Sequence, residues 1–382
     1  MAKKRFTRLK AFGKLLLIVF SILCAVGLVF SFFAKLFPPS FSSTVAYCGL
    51  FFPYLLIVNF ILIVVWLIID YGWALMPTIA ILLNVNNIDK HFQFRGIDKP
   101  EVCANCLKVM SYNAKAFNIY NSDQKSLNRQ VIHFLQNEKP DILCIQEYSY
   151  DNTGKSGFNS TEAIIQALNV KDNEKTHKIL LPYKNKLGYQ FGMAIFSKYR
   201  IVGGGFVDTD DSTSNKSMYV DIRFNSDTLR IYNIHLASMH LDSTDYETGK
   251  ALWAGSYDSS FNNKASKLSK KISMAYVLRQ HQAKAIQEHI SECPYPVILC
   301  GDFNDTPASF SYNKIMHGLK DAFRSSGKGT GTTYVGGNFP AYRIDYIAHD
   351  KQFNDFQYTV CKDLTVSDHY PIYTYISIVK KD

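Results

Sequence analysis

Polar, chemically capable side chains recur directly after short apolar runs along this chain. Asn113 follows LKVMSY, Glu147 follows DILCIQ, Asn233 and His235 lie in IYNIHL, Asp302, Asn304 and Asp305 follow VILCG, Asp345 sits in RIDYI, and Ser367, Asp368 and His369 form SDHYP with the next two residues. One acidic residue at a strand end is ordinarily a cap or turn residue, and a lone histidine is ordinarily a satisfied structural one. Independent turns do not explain the pattern repeating beside one apolar strand after another. Carboxylates converging with amide and imidazole groups suit a hard cation such as Mg2+ (or Mn2+), which takes oxygen ligands and keeps waters for substrate and nucleophile. The same set suits hydrolysis at phosphorus, which needs charge neutralised on the phosphoryl oxygens, an activated water and a stabilised leaving oxygen.

The order and local sequence of these motifs resemble the endonuclease/exonuclease/phosphatase superfamily, the DNase I-like fold, over nearly everything from Leu107 to Ile378. GDFND (Gly301 to Asp305), RIDYI (Arg343 to Ile347) and SDHYP (Ser367 to Pro371) are the most specific matches. QEY around Glu147, NIH at Asn233 to His235 and GMAIFSK (Gly192 to Lys198) support them. The resemblance implies that Glu147 is a principal metal ligand, with Asp368 and Asn113 completing or flanking the metal site. It implies that Asp345 holds His369 through a carboxylate–imidazole hydrogen bond, which would raise its basicity. Asp302 would orient or deprotonate the attacking water, Asn304 would hold that water and a phosphoryl oxygen, and His235 would donate to a non-bridging oxygen. Whether Asp302 or His369 takes the proton stays open.

Elements must position these groups. LKVMSY (107–112) and DILCIQ (141–146) read as strands, as do 193–196, 218–224, 229–235, 297–300, 342–348 and 370–378. Ser126 can cap a helix with Leu127, Val131, Phe134 and Leu135 on one face. A long helix is expected over 272–290, where Ile272, Tyr276, Ala283, Ile286 and Ile290 share a face. Periodicity alone supports α/β or α+β; the resemblance implies a four-layer α-β-β-α sandwich of two mixed sheets with the site at one edge. The insertion 242–271, ending in Lys264, Lys267, Lys270 and Lys271, reads as a solvated loop, or as a basic arm touching headgroups or phosphates. Tyr334, Tyr342 and the turn at 336–339 suggest either a substrate-shaping loop or one packed by its own aromatics.

The first 88 residues are of another kind. The run from Leu15 to Phe33 and the run from Tyr47 to Ile69 carry no charge, and each matches the roughly 20 apolar residues that cross a bilayer. This favours a lipid-embedded hairpin over a cleaved signal peptide. Asn59 and Pro53 are expected to face the partner helix. A third stretch, 73–85, is short and contains Pro77; two spans keep the C-terminal domain on the side of the N-terminus, three place it opposite. The basic residues Lys3, Lys4, Arg5, Arg8 and Lys10 hold the N-terminus in the cytoplasm. Lys90, Arg95 and Lys99 favour the inside for the domain, but the turn at Asp70, cytoplasmic with two spans or three, carries no positive charge, so the charge signals conflict. The organisation expected is an anchor over 1–88, with helices about 13–34, 47–69 and 73–85, a connector over 89–106 and a catalytic domain over 107–382.

Charge distribution bears on the substrate. The anchor holds seven basic residues against Asp70 alone, hence six of the ten net positive charges. The weakly charged remainder lacks a Lys/Arg run for tracking DNA, which weighs against a nuclease. Eight scattered cysteines make no disulfide framework. Cys103 and Cys106 form a CxxC open to a disulfide, half a zinc site or a redox pair, and its plainest reading is two ordinary thiols. The expectation is thus a membrane-anchored, Mg2+- or Mn2+-dependent phosphoester hydrolase. Its substrate would be a phospholipid headgroup, nucleic acid or a phosphomonoester, with the bilayer as partner and no protein partner implied. The alternatives are a catalytically inert membrane-bound scaffold and a channel element, the latter without the intramembrane ionisable pair such a role needs.

Overall fold

The computed structural model describes residues 2–100, 103, 105–154, 157–170, 175–209, 215–239, 241–336 and 341–378. Residues 337–339 of the expected aromatic loop lie outside the described residues.

The N-terminal part comprises α1 (Ala2–Phe33), α2 (Ser43–Leu50), α3 (Phe52–Ile69), α4 (Leu75–Leu83) and α5 (Val85–His91). The stretches Ala11–Phe33 and Phe52–Ile69 are long and apolar enough to cross a membrane, yet only 28% and 22% buried. Core helices of a water-soluble domain bury their apolar faces; here Leu23, Ile57 and Ile68 point outward. The second stretch is not one helix over 47–69. The chain breaks at Phe51, and Pro53 falls in the first turn of α3, where it removes no intrahelical bond. Asn59 does face α1, donating to the Cys24 carbonyl at 3.1 Å, and Trp66 Nε1 donates to Ser21 Oγ at 2.9 Å.

The third apolar stretch climbs back along α1. Ala74 packs with Leu17 and Ile18, Ala80 and Ile81 pack with Ala25 and Leu28, and Asn84 Nδ2 donates to the Leu28 carbonyl at 2.8 Å. Asn87 Nδ2 reaches the Ser31 carbonyl at 3.4 Å. Residues 71–91 therefore run parallel to α1 over its whole apolar length. At the opposite end, Lys14 pairs with Asp70 at 2.7 Å.

Beyond the connector, two six-stranded mixed sheets pack face to face. One holds β1 (Cys106–Asn113), β2 (Ile142–Asp151), β3 (His177–Lys184) and β4 (Tyr189–Ser197), with β11 (Asn354–Val360) and β12 (Ile372–Ser377), in the order β11-β12-β1-β2-β4-β3. The other holds β5 (Ile201–Val207), β6 (Ser217–Phe224), β7 (Asp227–His235), β8 (Val297–Asp302), β9 (Leu319–Asp321) and β10 (Asp345–Asp350), in the order β5-β6-β7-β8-β10-β9. Val109, Cys144, Ile195, Val220, Ile298 and Ile347 fill the space between the sheets. The helices α6 (Gln124–Glu138) and α7 (Ser160–Leu168) cover the first sheet through Val131, Leu135, Ile164 and Ile165. The helices α9 (Phe261–Ser291) and α10 (Phe310–Ile315) cover the second through Ala283, Ile286, Tyr312 and Ile315. The shorter α8 (Ser243–Ala254) and α11 (Ala322–Ser326) complete the described helices of this domain. The four-layer α-β-β-α sandwich is therefore the fold.

Several local expectations need correction. The insertion 242–271 is helical rather than a loop: an Asp242/Asp245 capping box opens α8, and α9 begins at Phe261, well before Ile272. Its lysines are partly spent inside it, Lys271 on Asp242 and Asp245 and Lys264 on Asp258. Ser126 lies inside the first turn of α6, which starts after Asp123. The strand expected from Tyr342 begins at Asp345, because Tyr342 bridges Tyr334 instead. Cys103 and Cys106 are not ordinary thiols but a disulfide, with Cα atoms 5.6 Å apart.

Candidate active site

Register brings the site together. His235 and Asp345 flank Asp302 as its direct cross-strand neighbours, one from parallel β7 and one from antiparallel β10. Direct neighbours share a face, so these three side chains form one row at the edge of the second sheet. From the facing sheet, Asn113 ends β1, and the β2–β4 pairing slips between Ile145 and Tyr148. Glu147 sits in that bulge with φ +48°, a left-handed conformation that re-aims its side chain toward the row. Apolar alternation does not announce such a residue; only the local break in pairing does.

Asn113 is the link between the sheets' carboxylates. Its Nδ2 donates to Glu147 Oε1 at 3.1 Å and to Asp302 Oδ2 at 3.0 Å, while its Oδ1 accepts the Lys115 amide at 3.1 Å. Asp302 Oδ1 accepts the Asn304 amide at 2.7 Å, and Asn304 Nδ2 donates to the Leu236 carbonyl at 3.0 Å, which holds the GDFND turn closed. Both His235 Nε2 and His369 Nε2 lie 3.7 Å from Asp302 Oδ2. His369 Nδ1 sits 2.9 Å from Asp345 Oδ2, and its amide donates to Ser367 Oγ at 3.2 Å. Asp368 is the more open carboxylate and pairs with Lys115 at 3.3 Å.

Burial sets the charges. Burial by itself would depress the His369 imidazole, but Asp345 and Asp302 outweigh it and hold the pKa up to about 10, so the ring is an imidazolium at neutral pH. Burial pushes the Asp302 carboxyl up to about 6 against the pull of His369. Burial also raises Glu147, partly offset by the hydrogen bond from Asn113. Among the described residues, Asp302, Asp345 and His369 place one ligand atom each within 4.8 Å of one another. A cation there would meet an imidazolium whose charge already offsets both carboxylates. The Glu147 side differs: its half-buried carboxylate and the more open Asp368 line one cavity, with Asn113 Nδ2 against Glu147 Oε1, and two carboxylates there fit a hard divalent ion.

All eight site residues expected from sequence thus fall around one center. Two polar strand-end residues do not join it. Asn233 is an inter-sheet tie, accepting from Gln146 Nε2 at 2.6 Å and donating to the Ile145 and Ala194 carbonyls. Asp305 is buried against Arg279, at 3.3 Å from its Nε. Three contributors were not read from sequence. Lys115 neutralises Asp368, and the two-residue spacing from Asn113 was an available signal. Asn215 Nδ2 lies 3.0 Å from His235 Nε2, and Tyr246 meets Tyr334 through their hydroxyls at 3.3 Å; neither carries a sequence signal. Tyr334 does shape the site, its ring standing edge-on to His369 at 5.0 Å.

Comparisons agree with the fold. The model of the endonuclease/exonuclease/phosphatase family matches residues 110–369, and a model described only as a domain of unknown function matches residues 13–91. No curated protein matches the chain. Among solved structures, an endonuclease/exonuclease/phosphatase family protein from Leptotrichia buccalis superposes with TM-score 0.50 at 16% identity, covering 71% of this chain and 100% of that one. One from Beutenbergia cavernae gives 0.50 at 16%, covering 72% of each chain. The catalytic domain of human Nocturnin with a bound sulfate gives 0.50 at 15%, covering 73% of this chain and 97% of that one.

Proposed function

The chain belongs to the endonuclease/exonuclease/phosphatase family, whose members are phosphoester hydrolases, and from that premise we propose that it is a membrane-anchored, divalent-metal-dependent hydrolase of phosphoester bonds. The observation that carries this reading is the unbroken polar chain Asp345–His369–Asp302–Asn113–Glu147, which joins the two sheets at one edge.

Glu147 and Asp368 would hold Mg2+ or Mn2+, with Asn113 setting the distance between Glu147 and Asp302. When bound, the ion supplies charge neutralisation at the phosphoryl oxygens. The imidazolium at His369, with Nδ1 committed to Asp345, presents Nε2–H toward the reacting phosphoryl group as a donor. It has no vacant lone pair for a water proton at neutral pH. Asp302, ionised above about pH 6, is in this reading the acceptor for that proton. Asn304 would position the water, and His235, whose Nε2 accepts from Asn215 Nδ2, has only Nδ1–H left to donate to a non-bridging oxygen.

The anchor reading rests on the outward-facing apolar surface of α1 and α3. Because residues 71–91 return parallel to α1, the domain lies at the end of the bundle opposite Lys14 and Asp70. With the basic N-terminus cytoplasmic, the catalytic domain would face the exterior. Lys90, which argued for the inside from sequence, is spent on docking: it is buried and bonds Asn313.

The test is the full chain in detergent, with Mg2+, Mn2+ or EDTA, against plasmid DNA, phospholipid vesicles and phosphomonoesters. Metal-dependent turnover of one class, lost in Glu147→Gln, supports the reading. A folded protein inert toward all three in either metal points to the scaffold alternative.

A further inference from the structure

We infer that the substrate is an amphiphile, and that a cavity between the catalytic center and the anchor receives its apolar chain; this rests on the hydrolase reading above. The cavity, about 260 Å3, starts at Glu147, Asp368 and His369 and ends at Leu50, the last residue of α2. Its walls are of two kinds. Besides carboxylate, imidazole and amide groups, Asp245 among them, they carry Leu241, Leu268, Ile272 and Ile344, and Ile344 clusters with Leu50 and Tyr342 at the α2 end. A nucleic acid or a free sugar phosphate has nothing to place against four aliphatic side chains, whereas the acyl-bearing part of a lipid does.

The far end is built from the anchor itself. Leu50 packs with Tyr342 and Ile344, and the Gly49 carbonyl accepts from Thr306 Oγ1 at 3.4 Å, directly after GDFND. One turn back, the Tyr47 hydroxyl donates to the Ser269 carbonyl at 2.8 Å, which fixes α9 against α2. The next residue after Leu50 leads into α3, so the cavity ends where the chain enters the apolar phase. Apolar side chains stand free on the two segments that Tyr47 joins: Phe41, just before α2, is 73% exposed, and Met274 on α9 is 57% exposed. A lipid raised part-way out of the bilayer would keep its chain on apolar surface from membrane to cavity while its phosphodiester reached the polar row. In the reaction the oxygen of water bonds to phosphorus, the P–O bond to one alcohol breaks, and the proton from water ends on that alcohol.

The experiment uses the full chain with Mg2+ in vesicles of phosphatidylcholine and phosphatidylglycerol, in parallel with glycerophosphocholine and glycerophosphoglycerol, the same diesters without acyl chains. A single-stranded oligonucleotide and a phosphomonoester are further arms. The expected result is a kcat/KM at least about 100-fold higher for an acylated diester than for its deacylated counterpart. Leu268→Trp, which fills the cavity, and Ile272→Gln, which wets it, should each collapse that ratio at least about tenfold; Gln130→Trp on the remote surface of α6 should leave it unchanged. Equal turnover of acylated and deacylated diesters, or a ratio indifferent to both cavity variants, overturns the inference and leaves the hydrolase standing. Turnover of the oligonucleotide or monoester alone does the same. No turnover of any arm in Mg2+ or Mn2+ removes the hydrolase reading and the inference with it.

Discussion

The charge state of each site residue follows from what surrounds it, and this makes the site testable one side chain at a time. Glu147 is a half-buried carboxylate whose pKa desolvation raises, so its ionised form is costly until a cation offsets it. Glu147→Gln should keep or raise the thermal midpoint in EDTA, abolish the rise that Mg2+ gives the parent protein by binding the folded state, and lower kcat by about 100-fold or more. Thermal scans with and without metal, beside a turnover assay, check all three. The pH profile separates Asp302 from His369. Turnover at saturating metal should rise as Asp302 loses its proton near pH 6 and fall as His369 loses its proton near pH 10. In Asp345→Asn the carboxylate that holds His369 up is gone, so the alkaline limb should move down toward the ordinary histidine range. An alkaline limb unmoved by that variant would assign it to another group.

At the scale of elements, the site depends on close approach between strands that tolerates no side chain. Gly301 opens GDFND at φ +156°, and a Cβ there would lie 2.1 Å from the Ile234 carbonyl oxygen of neighbouring β7. That oxygen belongs to the sheet ladder and cannot move aside. Gly301→Ala should therefore cost about 1–3 kcal/mol or more, seen as a lowered unfolding midpoint, and should displace Asp302 from its row. Gly318, at φ +88° with open space around it, is the control: its alanine variant pays only the backbone cost of about 1 kcal/mol. The unforeseen strands have a common reason. β3, β5, β9 and β11 are sheet edges, and β5 is IVGGGFV with alternating partial exposure, so none shows the apolar run that marks a buried strand.

The whole molecule joins the N-terminal helices and the domain through more than a linker. Arg343 of RIDYI, buried against Asp321, donates to the Lys90 carbonyl at 2.8 Å, and Arg324 pairs with Asp89 at 2.8 Å. Removing residues 1–98 would strip these contacts and the Leu50 wall of the site. The truncated domain should accordingly unfold at a lower temperature than the full chain in detergent. If residues 71–91 cross as proposed, the domain lies across the membrane from the N-terminus. In intact cells, an N-terminal tag should be shielded from added protease while the catalytic domain is cleaved. Cys103 and Cys106 should take up maleimide only after reduction, as a disulfide on an oxidising face would. Protection of the domain instead would mean that 71–91 does not cross.

The local chemistry of the site was legible in the sequence because it is written in contiguous motifs. GDFND, RIDYI and SDHYP lie at strand ends and hold five of the eight candidate residues, LKVMSY, QEY and NIH lead to Asn113, Glu147 and His235, and the two long charge-free runs needed no partner to be recognised. What the chain alone left open depends on contacts between distant segments. The direction of the third apolar stretch was decided by Asn84 and Asn87 reaching α1, the protonation of His369 by two carboxylates from other strands, and the setting of Glu147 by a slip in strand pairing. The apolar cavity is the furthest from sequence: its walls come from the anchor, the α8–α9 insertion and the strand ends, and only packing brings them side by side.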